Sequence, residues 1–418
     1  MIVVKFNNKR NAVDIMKGLI MNKIIMFTGG VETLSYFSGK MAEFFIKNGK
    51  SVFFYDLKAA KESARKVRKF IKQGDTILIT FNFQGLSKED YLYDPVKRCY
   101  IWQEYGLTCI NIAADHPYYY DKQLSELPEN YIHISIDKLH ERYFREYYPE
   151  FKSGGFLPLA GSRLDSEKEL KKIIDRDIDI LFPGNYTPPE FCEKYAHMIN
   201  EEYAAFYLSI IDDLLKNPYK TVEEAGIEHT VRELGNVAYD DMRKVLNKMI
   251  FIDLYVRNYY RGLVVGALAD AGLKVNVIGK DWEKLKCSHK ENIIITQFSD
   301  SAACMEAMEN SKIVVNVMPW FKDGAHDRVF NAVLSKAVSV SDVSRYQREE
   351  MPEGCGVVYY DLEHINSLPR KIKELLSDTD RLQKTADRGY EAAIKSHTWD
   401  NRAKQLLDSF INVYSTDS

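Results

Sequence analysis

Residues 316–342 read NVMPWFKDGAHDRVFNAVLSKAVSVSD. The apolar run Lys312 to Val317 predicts a buried strand, and Asp323, Gly324, His326, Asp327 and Arg328 fall in the loop that follows. A short helix is expected to open near Val329, and the run from Ala337 to Ser341 predicts a second strand. A glycine-containing, cationic loop that runs into a helix start suits an anion, because open backbone N–H groups and the positive end of the helix dipole point at it. Phosphate is the first ligand this stretch suggests.

The same alternation extends outward on both sides. Toward the C-terminus come CGVVYY and a final pair of helices, the second in SHTWDNRAKQLLDSFINVY; upstream lie DIDILFPG, KVNVIG, NIIITQF and SKIVVNV. In the first half KIIMF leads through TGG into a helix from about Thr33 to Lys47, stopped by Gly49, and then into SVFFYD. ARKVRKFIK is a basic amphipathic helix, DTILITF a strand, PVKRCYIWQEYG a helix between Pro95 and Gly106, and LTCINIA, YIHISI and GGFLPLA further strands. Strands separated by helices give an α/β fold with parallel sheets. The division expected is an N-terminal Rossmann-like domain over 1–160, a second over 175–395 with a helical insertion at about 189–250, its helical pattern running on to about Asp270, and a terminal helix over 396–418. The polar stretch GSRLDSEKELKKIIDRD reads as the linker between the halves.

A chain of 418 residues is too long for one ordinary core, and 45% hydrophobic with 28% charged residues is the composition of a globular protein. The formal net charge of −3 gives no general attraction to nucleic acid or an anionic membrane. Charges interrupt the apolar residues of the first twenty or so positions, and no later run is long enough to span a bilayer. The basic helix Lys61 to Lys72 leaves peripheral membrane or polyanion contact open beside the simpler reading as a solvated face. The six cysteines show no CxxC and no paired Cys/His spacing, which fits reduced thiols in a cytoplasm rather than disulfides or a zinc site.

Ligands of open α/β sheets sit beyond the carboxyl ends of the strands. In the second half that places Gly184-Asn185-Tyr186, Gly279-Lys280-Asp281-Trp282, Phe298, and Asp323 to Arg328 around one crevice. Lys280 and Arg328 would supply charge for a diphosphate, and Trp282 or Phe298 a flat face for a ring. The other reading of each is turn glycine, solvated lysine or core aromatic. In the first half Asp115-His116 follows a strand. A histidine beside a carboxylate suits a general base, and a capping Asp with a backbone-bonded His is the structural alternative.

Residues Asn316 to Asp342, together with DIDILFPGNYTPPE and SHTWDNRAKQLLD, resemble the group 1 nucleotide-sugar glycosyltransferases, in particular the CgeB-like spore-maturation branch. The likeness covers about Asp177 to the C-terminus apart from the inserted helices; the first half matches in layout and in its Asp-His-Pro turn. It implies a bacterial enzyme of the GT-B fold, two Rossmann-like domains facing across a cleft, with acceptor bound by the first and donor by the second. It also implies a final helix that crosses back and a reaction without a catalytic metal. The chain departs from the family where two glutamates with seven residues between them are usual: Asp323 and Asn331 stand there, and Lys336 replaces a glycine.

On this likeness the expected function is transfer of a sugar from a nucleoside-diphosphate donor, a UDP-sugar, to an acceptor that the sequence does not identify. No other cofactor is expected. Arg328, His326 and amides near Gly324 would hold the diphosphate, Lys280 would be a second cation, and Asn331 with Asp323 would hold ribose or sugar hydroxyls. Asp115 or His116 would activate the acceptor in an inverting reaction; with retention the leaving phosphate takes the proton. A UDP-sugar epimerase of the same fold, or a nucleotide-sugar-binding protein without turnover, are the alternatives.

Overall fold

The structure, a computed structural model, describes residues 21–165, 167–296 and 300–411. Its strands are β1 (Lys23–Thr28), β2 (Ser51–Asp56), β3 (Thr76–Phe81), β4 (Tyr93–Asp94), β5 (Cys99–Tyr100), β6 (Thr108–Ala113), β7 (Tyr131–Ser135) and β8 (Lys152–Phe156). They continue with β9 (Ile178–Pro183), β10 (Val275–Ile278), β11 (Ile293–Thr296), β12 (Ser311–Asn316), β13 (Val338–Ser341) and β14 (Val357–Tyr359). One six-stranded sheet has the order β2-β1-β3-β6-β7-β8, the other β11-β10-β9-β12-β13-β14. In the second sheet each neighbouring pair is parallel, as are β1 with β2 and β3, and β7 with β8. Parallel strands covered on both faces read as continuous apolar runs. TILITF in β3 is buried at every position, and SKIVVN in β12 at all but one.

In the second sheet the chain moves outward from β9 through β10 to β11, then returns to the other flank of β9 with β12. The direction of winding reverses between β9 and β12, where a crevice opens beyond their carboxyl ends. Gly184 follows β9 there, and β12 runs out at Asn316 into the loop read first from the sequence.

By internal packing the described chain divides into two compact units, one taken from Met1–Asn111, Pro128–Tyr131 and Arg402–Ser418, the other from Ile112–Leu127 and Ile132–Asn401. In the first, the Phe83 amide donates to Asn111 Oδ1 at 2.8 Å, and the Phe83 ring stacks on Tyr131 with centroids 5.9 Å apart. The second holds the inserted helices, among them Glu201–Lys216, Val222–Leu234 and Tyr239–Leu246, then the long helix Ile250–Asp270. The first of these ends before Asn217-Pro218, and Gly235, with φ +72°, closes the second.

Two expectations are corrected. PVKRCYIWQEYG is not one helix: β4 and β5 form a small antiparallel ribbon, Arg98 has φ +52°, and only Ile101–Glu104 is helical. Pro95 opens the turn of that ribbon rather than a helix. The stretch expected as a linker is strapped down instead. The Ser162 amide donates to Asn331 Oδ1 at 3.0 Å, Lys168 pairs with Glu309 at 3.2 Å, and Arg176 is buried, with its guanidinium bonded to the Lys171, Ser311 and Ser335 carbonyls. A buried guanidinium needs such acceptors, and they fix the chain's entry into β9.

His133 in β7 is 1% exposed, and its ring stacks on Phe144 with centroids 3.8 Å apart and planes 7° from parallel. Burial lowers its pKa to about 3, with His140 nearby acting the same way. The folded state therefore refuses a proton that the unfolded chain accepts below about pH 6.5. This stability contribution is complete above that pH and is lost as pH falls toward 3. His133→Phe should remove it: the stability lost between pH 7 and pH 5 in urea titrations should be smaller in the variant by about 2 kcal/mol.

Candidate functional site

The helix Asp327–Leu334 starts at the crevice, with His326 as its cap. Arg328 is 8% exposed; its Nη1 donates to Asn316 Oδ1 at 2.8 Å, at the end of β12. Its Nη2 faces Gly184, where a Cβ would come within 3.3 Å of it. The sequence placed these residues at one strand edge, and the structure brings Arg328 and Gly184 together.

Two more cations join them from the long helix. The Arg257 guanidinium lies 3.9 Å from the centroid of the Trp320 ring, and that of Arg261 lies 5.2 Å from it. Arg257 pairs with Asp253 at 2.8 Å, and Arg261 Nη1 donates to the Asn185 carbonyl at 2.9 Å. Burial first, then Arg328 and Arg257 beside it, push Arg261 well below the usual guanidinium range; burial also lowers Arg328, and Arg257 adds to that. Guanidinium groups keep their protons, so these shifts register mutual repulsion and lost hydration. An anion relieves both. Arg257 and Arg261 were missed in the sequence because their helix reads as an apolar insertion. The signal was there in Asp253, Arg257 and Arg261, charges at a spacing of four in an otherwise apolar helix.

The glycine loops are shaped by each other. The Gly184 amide donates to the Ile278 carbonyl at 2.8 Å, the Lys280 amide to Asn185 Oδ1 at 3.0 Å, and the Tyr186 amide to the Lys280 carbonyl at 3.1 Å. Gly279 has φ +150°, and a Cβ there would lie 2.3 Å from the Gly184 carbonyl oxygen. Trp282 does not offer its ring to a ligand. It is 1% exposed, stacks on Tyr186 with centroids 5.1 Å apart, and donates from Nε1 to the Gly184 carbonyl at 2.7 Å, so it is the bolt that fixes the loop. Lys280 is exposed, and Phe298 lies outside the described residues.

Asp323 and Gly324 belong to another joint. The Asp323 amide donates to Asp137 Oδ2 at 2.8 Å, its carbonyl accepts from the Lys138 amide at 3.2 Å, and Asp137 forms an antiparallel bridge with Gly324. The Asp323 carboxylate lies 3.7 Å from Lys138 Nζ and 3.6 Å from Arg345 Nε. These contacts tie the loop of Asp323 and Gly324 to the segment at Asp137. Asn331 likewise turns inward: its Nδ2 donates to Asp327 Oδ2 at 3.1 Å, while its Oδ1 takes the Ser162 amide. The residue that departs from the glutamate pattern thus anchors the strap before β9. His326 Nδ1 accepts from the Arg328 amide at 3.2 Å and lies 2.6 Å from Asp327 Oδ1, and burial, with Arg328 adding to it, lowers its pKa to about 4.

Asp115 accepts from the Tyr120 hydroxyl at 3.1 Å. His116 is 6% exposed and caps the turn that follows it; its Nδ1 accepts from the Tyr118 amide at 3.3 Å. Burial lowers its pKa to about 3. A neutral ring whose Nδ1 lone pair is engaged carries its hydrogen on Nε2. His116 is therefore placed to donate a hydrogen bond and is not set up as a general base.

The fold recurs in known structures. An alpha-glucosyltransferase in complex with UDP-glucose and DNA containing an abasic site aligns with a TM-score of 0.51 at 14% identity, over 93% of this chain and 98% of its own. Sucrose-phosphate synthase from Thermosynechococcus elongatus aligns at 0.51 and 10% identity, over 92% and 97%. The Anabaena HepE protein in complex with UDP-glucose aligns at 0.50 and 9%, over 92% and 98%. The fold is GT-B. Residues 257–408 match the family model described as glycosyl transferase-like, a span that opens at Arg257 and includes Arg261, Trp320 and Arg328. No curated protein matches the sequence significantly. No described helix is long and apolar enough to cross a membrane.

Proposed function

We propose that the protein is a glycosyltransferase that takes a sugar from a UDP-sugar and passes it to a hydroxyl-bearing acceptor, with the diphosphate held by Arg328, Arg261 and Arg257. The observation that carries this reading is the gathering of these arginines at the switch point of a GT-B sheet, Arg257 and Arg261 over the Trp320 ring and Arg328 beside Gly184, where a bound diphosphate would offset the charge that Arg261 and Arg328 feel from their neighbours. In such a site guanidinium donors offset the charge that develops on the leaving phosphate, the task a metal performs elsewhere. The acceptor side is assigned to the first sheet, and the CgeB-like branch to the likeness of its signature segment. A cytoplasmic enzyme that works without a metal fits this reading.

The test is ligand stabilisation followed by turnover. UDP and UDP-sugars should raise the melting temperature, since a ligand at a hundred times its Kd adds about 2.7 kcal/mol to the folded state. GDP and CMP should do so less. UDP should then be released from the matched UDP-sugar, faster with acceptor present. Conversion of one UDP-sugar into its epimer without transfer would overturn the transferase reading.

A further inference from the structure

Beside the arginines lies a pocket lined in part by His116, Glu223, Asp253, Arg257, Trp320 and Lys322. It is largely enclosed, with about 30 Å³ open to a water-sized occupant. That is room for one or two oxygen atoms and too little for a pyranose ring. Its walls come from the loop after β6, the long helix, the loop after β12 and, unexpectedly, the first turn of the inserted helix Val222–Leu234.

One group in the pocket lacks what its chemistry requires. His116 presents an Nε2–H, and among the described residues that atom has no hydrogen-bond partner. Glu223, with its side chain 15% exposed, brings Oε1 to 3.6 Å from His116 Nε2, beyond hydrogen-bonding range. One oxygen atom between them reaches both. A buried donor that faces a carboxylate across such a gap is costly unless a hydroxyl or water completes it. Arg257 lines the same pocket and packs on Trp320, so the gap adjoins the cations assigned to the diphosphate. The group attached to a nucleoside diphosphate at that point is the donor's sugar.

We propose that Glu223, supplied by the inserted helix, and His116 together grip one hydroxyl of the donor sugar. Nε2–H donates to the hydroxyl oxygen, whose own hydrogen goes to the Glu223 carboxylate. The site thereby gains a carboxylate contact to the sugar from the insertion, while Asp323 is tied to Asp137, Lys138 and Arg345. This inference rests on the UDP-sugar reading above, and its test separates the two.

The full chain is titrated calorimetrically with UDP, UDP-glucose, UDP-galactose and UDP-N-acetylglucosamine, and with deoxy analogues of the tightest of these. In the wild type one UDP-hexose should bind more tightly than UDP. Glu223→Gln, which keeps the side chain's size, and His116→Phe, which keeps its ring contacts, should each cut that advantage about tenfold while leaving the affinity for UDP within about twofold. The deoxy analogue that lacks the gripped hydroxyl should lose affinity in the wild type and lose nothing more in Glu223→Gln. The grip is overturned if no hexose adds to UDP, if Glu223→Gln keeps the advantage, or if its UDP affinity falls in parallel. Failure of UDP itself to bind the wild type would instead overturn the nucleotide reading.

Discussion

Arg328→Met should weaken nucleotide binding about a hundredfold while leaving the ligand-free protein about as stable as before. The guanidinium has Asn316 Oδ1 as its hydrogen-bond acceptor; burial, with Arg257 adding to it, raises the energy of its charge, and Asp327 offsets part of that. Removing it costs Asn316 a donor, about 1 kcal/mol, and relieves repulsion of similar size. With ligand present the balance is different. A guanidinium–phosphate pair with charge-assisted hydrogen bonds is worth about 3 kcal/mol, so UDP affinity should fall about a hundredfold. Calorimetry with UDP, run beside a urea titration of the ligand-free protein, checks both halves. A variant that is badly destabilised, or that still binds UDP as tightly, would move the anion site away from Arg328.

Gly279→Ala should damage fold and site together. The backbone at Gly279 has φ +150°, a region that side chains avoid, and an added Cβ would lie 2.3 Å from the Gly184 carbonyl oxygen and 2.9 Å from the Asn185 amide nitrogen. Both loops are held by the hydrogen bonds between Lys280 and Asn185 and between Tyr186 and Lys280, so neither can yield alone. The strained conformation and the overlap together should cost about 3 kcal/mol. The Arg261 contact with the Asn185 carbonyl would be displaced with the loop. UDP binding should fall even below the temperature at which the variant unfolds, which distinguishes a deformed site from an unstable domain. Gly39, on an open helix surface with nothing within 4 Å of an added Cβ, provides the comparison: Gly39→Ala should be neutral or stabilising.

The sheet framework was legible in the sequence because its strands are short, continuous apolar runs and its helices carry periodic faces. β12, the loop after it and the helix holding Arg328 lie where NVMPWFKDGAHDRVF places them, within a residue or two. What resisted reading were contacts between residues distant along the chain. Asp323 and Gly324 looked like ligand residues because they neighbour Arg328 in sequence, yet their partner is Asp137, which only folding brings near. Trp282 carried no mark to show whether its face would meet a base or Tyr186. Asn331 looked like a weakened glutamate, and its amide proved to need both its donor and its acceptor, for Asp327 and for the Ser162 backbone. The helix of Arg257 and Arg261 was assigned to an insertion by its position, although its evenly spaced charges face the crevice. Pro95 misled for a local reason, since it begins turns as readily as helices.

The arginine cluster also bears on how this protein is to be handled at the bench. A site built from Arg257, Arg261 and Arg328 will take up whatever oxyanion the solution offers, and phosphate or sulfate in a buffer presents the same tetrahedral oxygens as a nucleotide's tail. Such salts would make the preparation look sturdier on heating and, by the same occupancy, make UDP look like a poor ligand. Buffers of amines and chloride leave the question of affinity to the nucleotide itself.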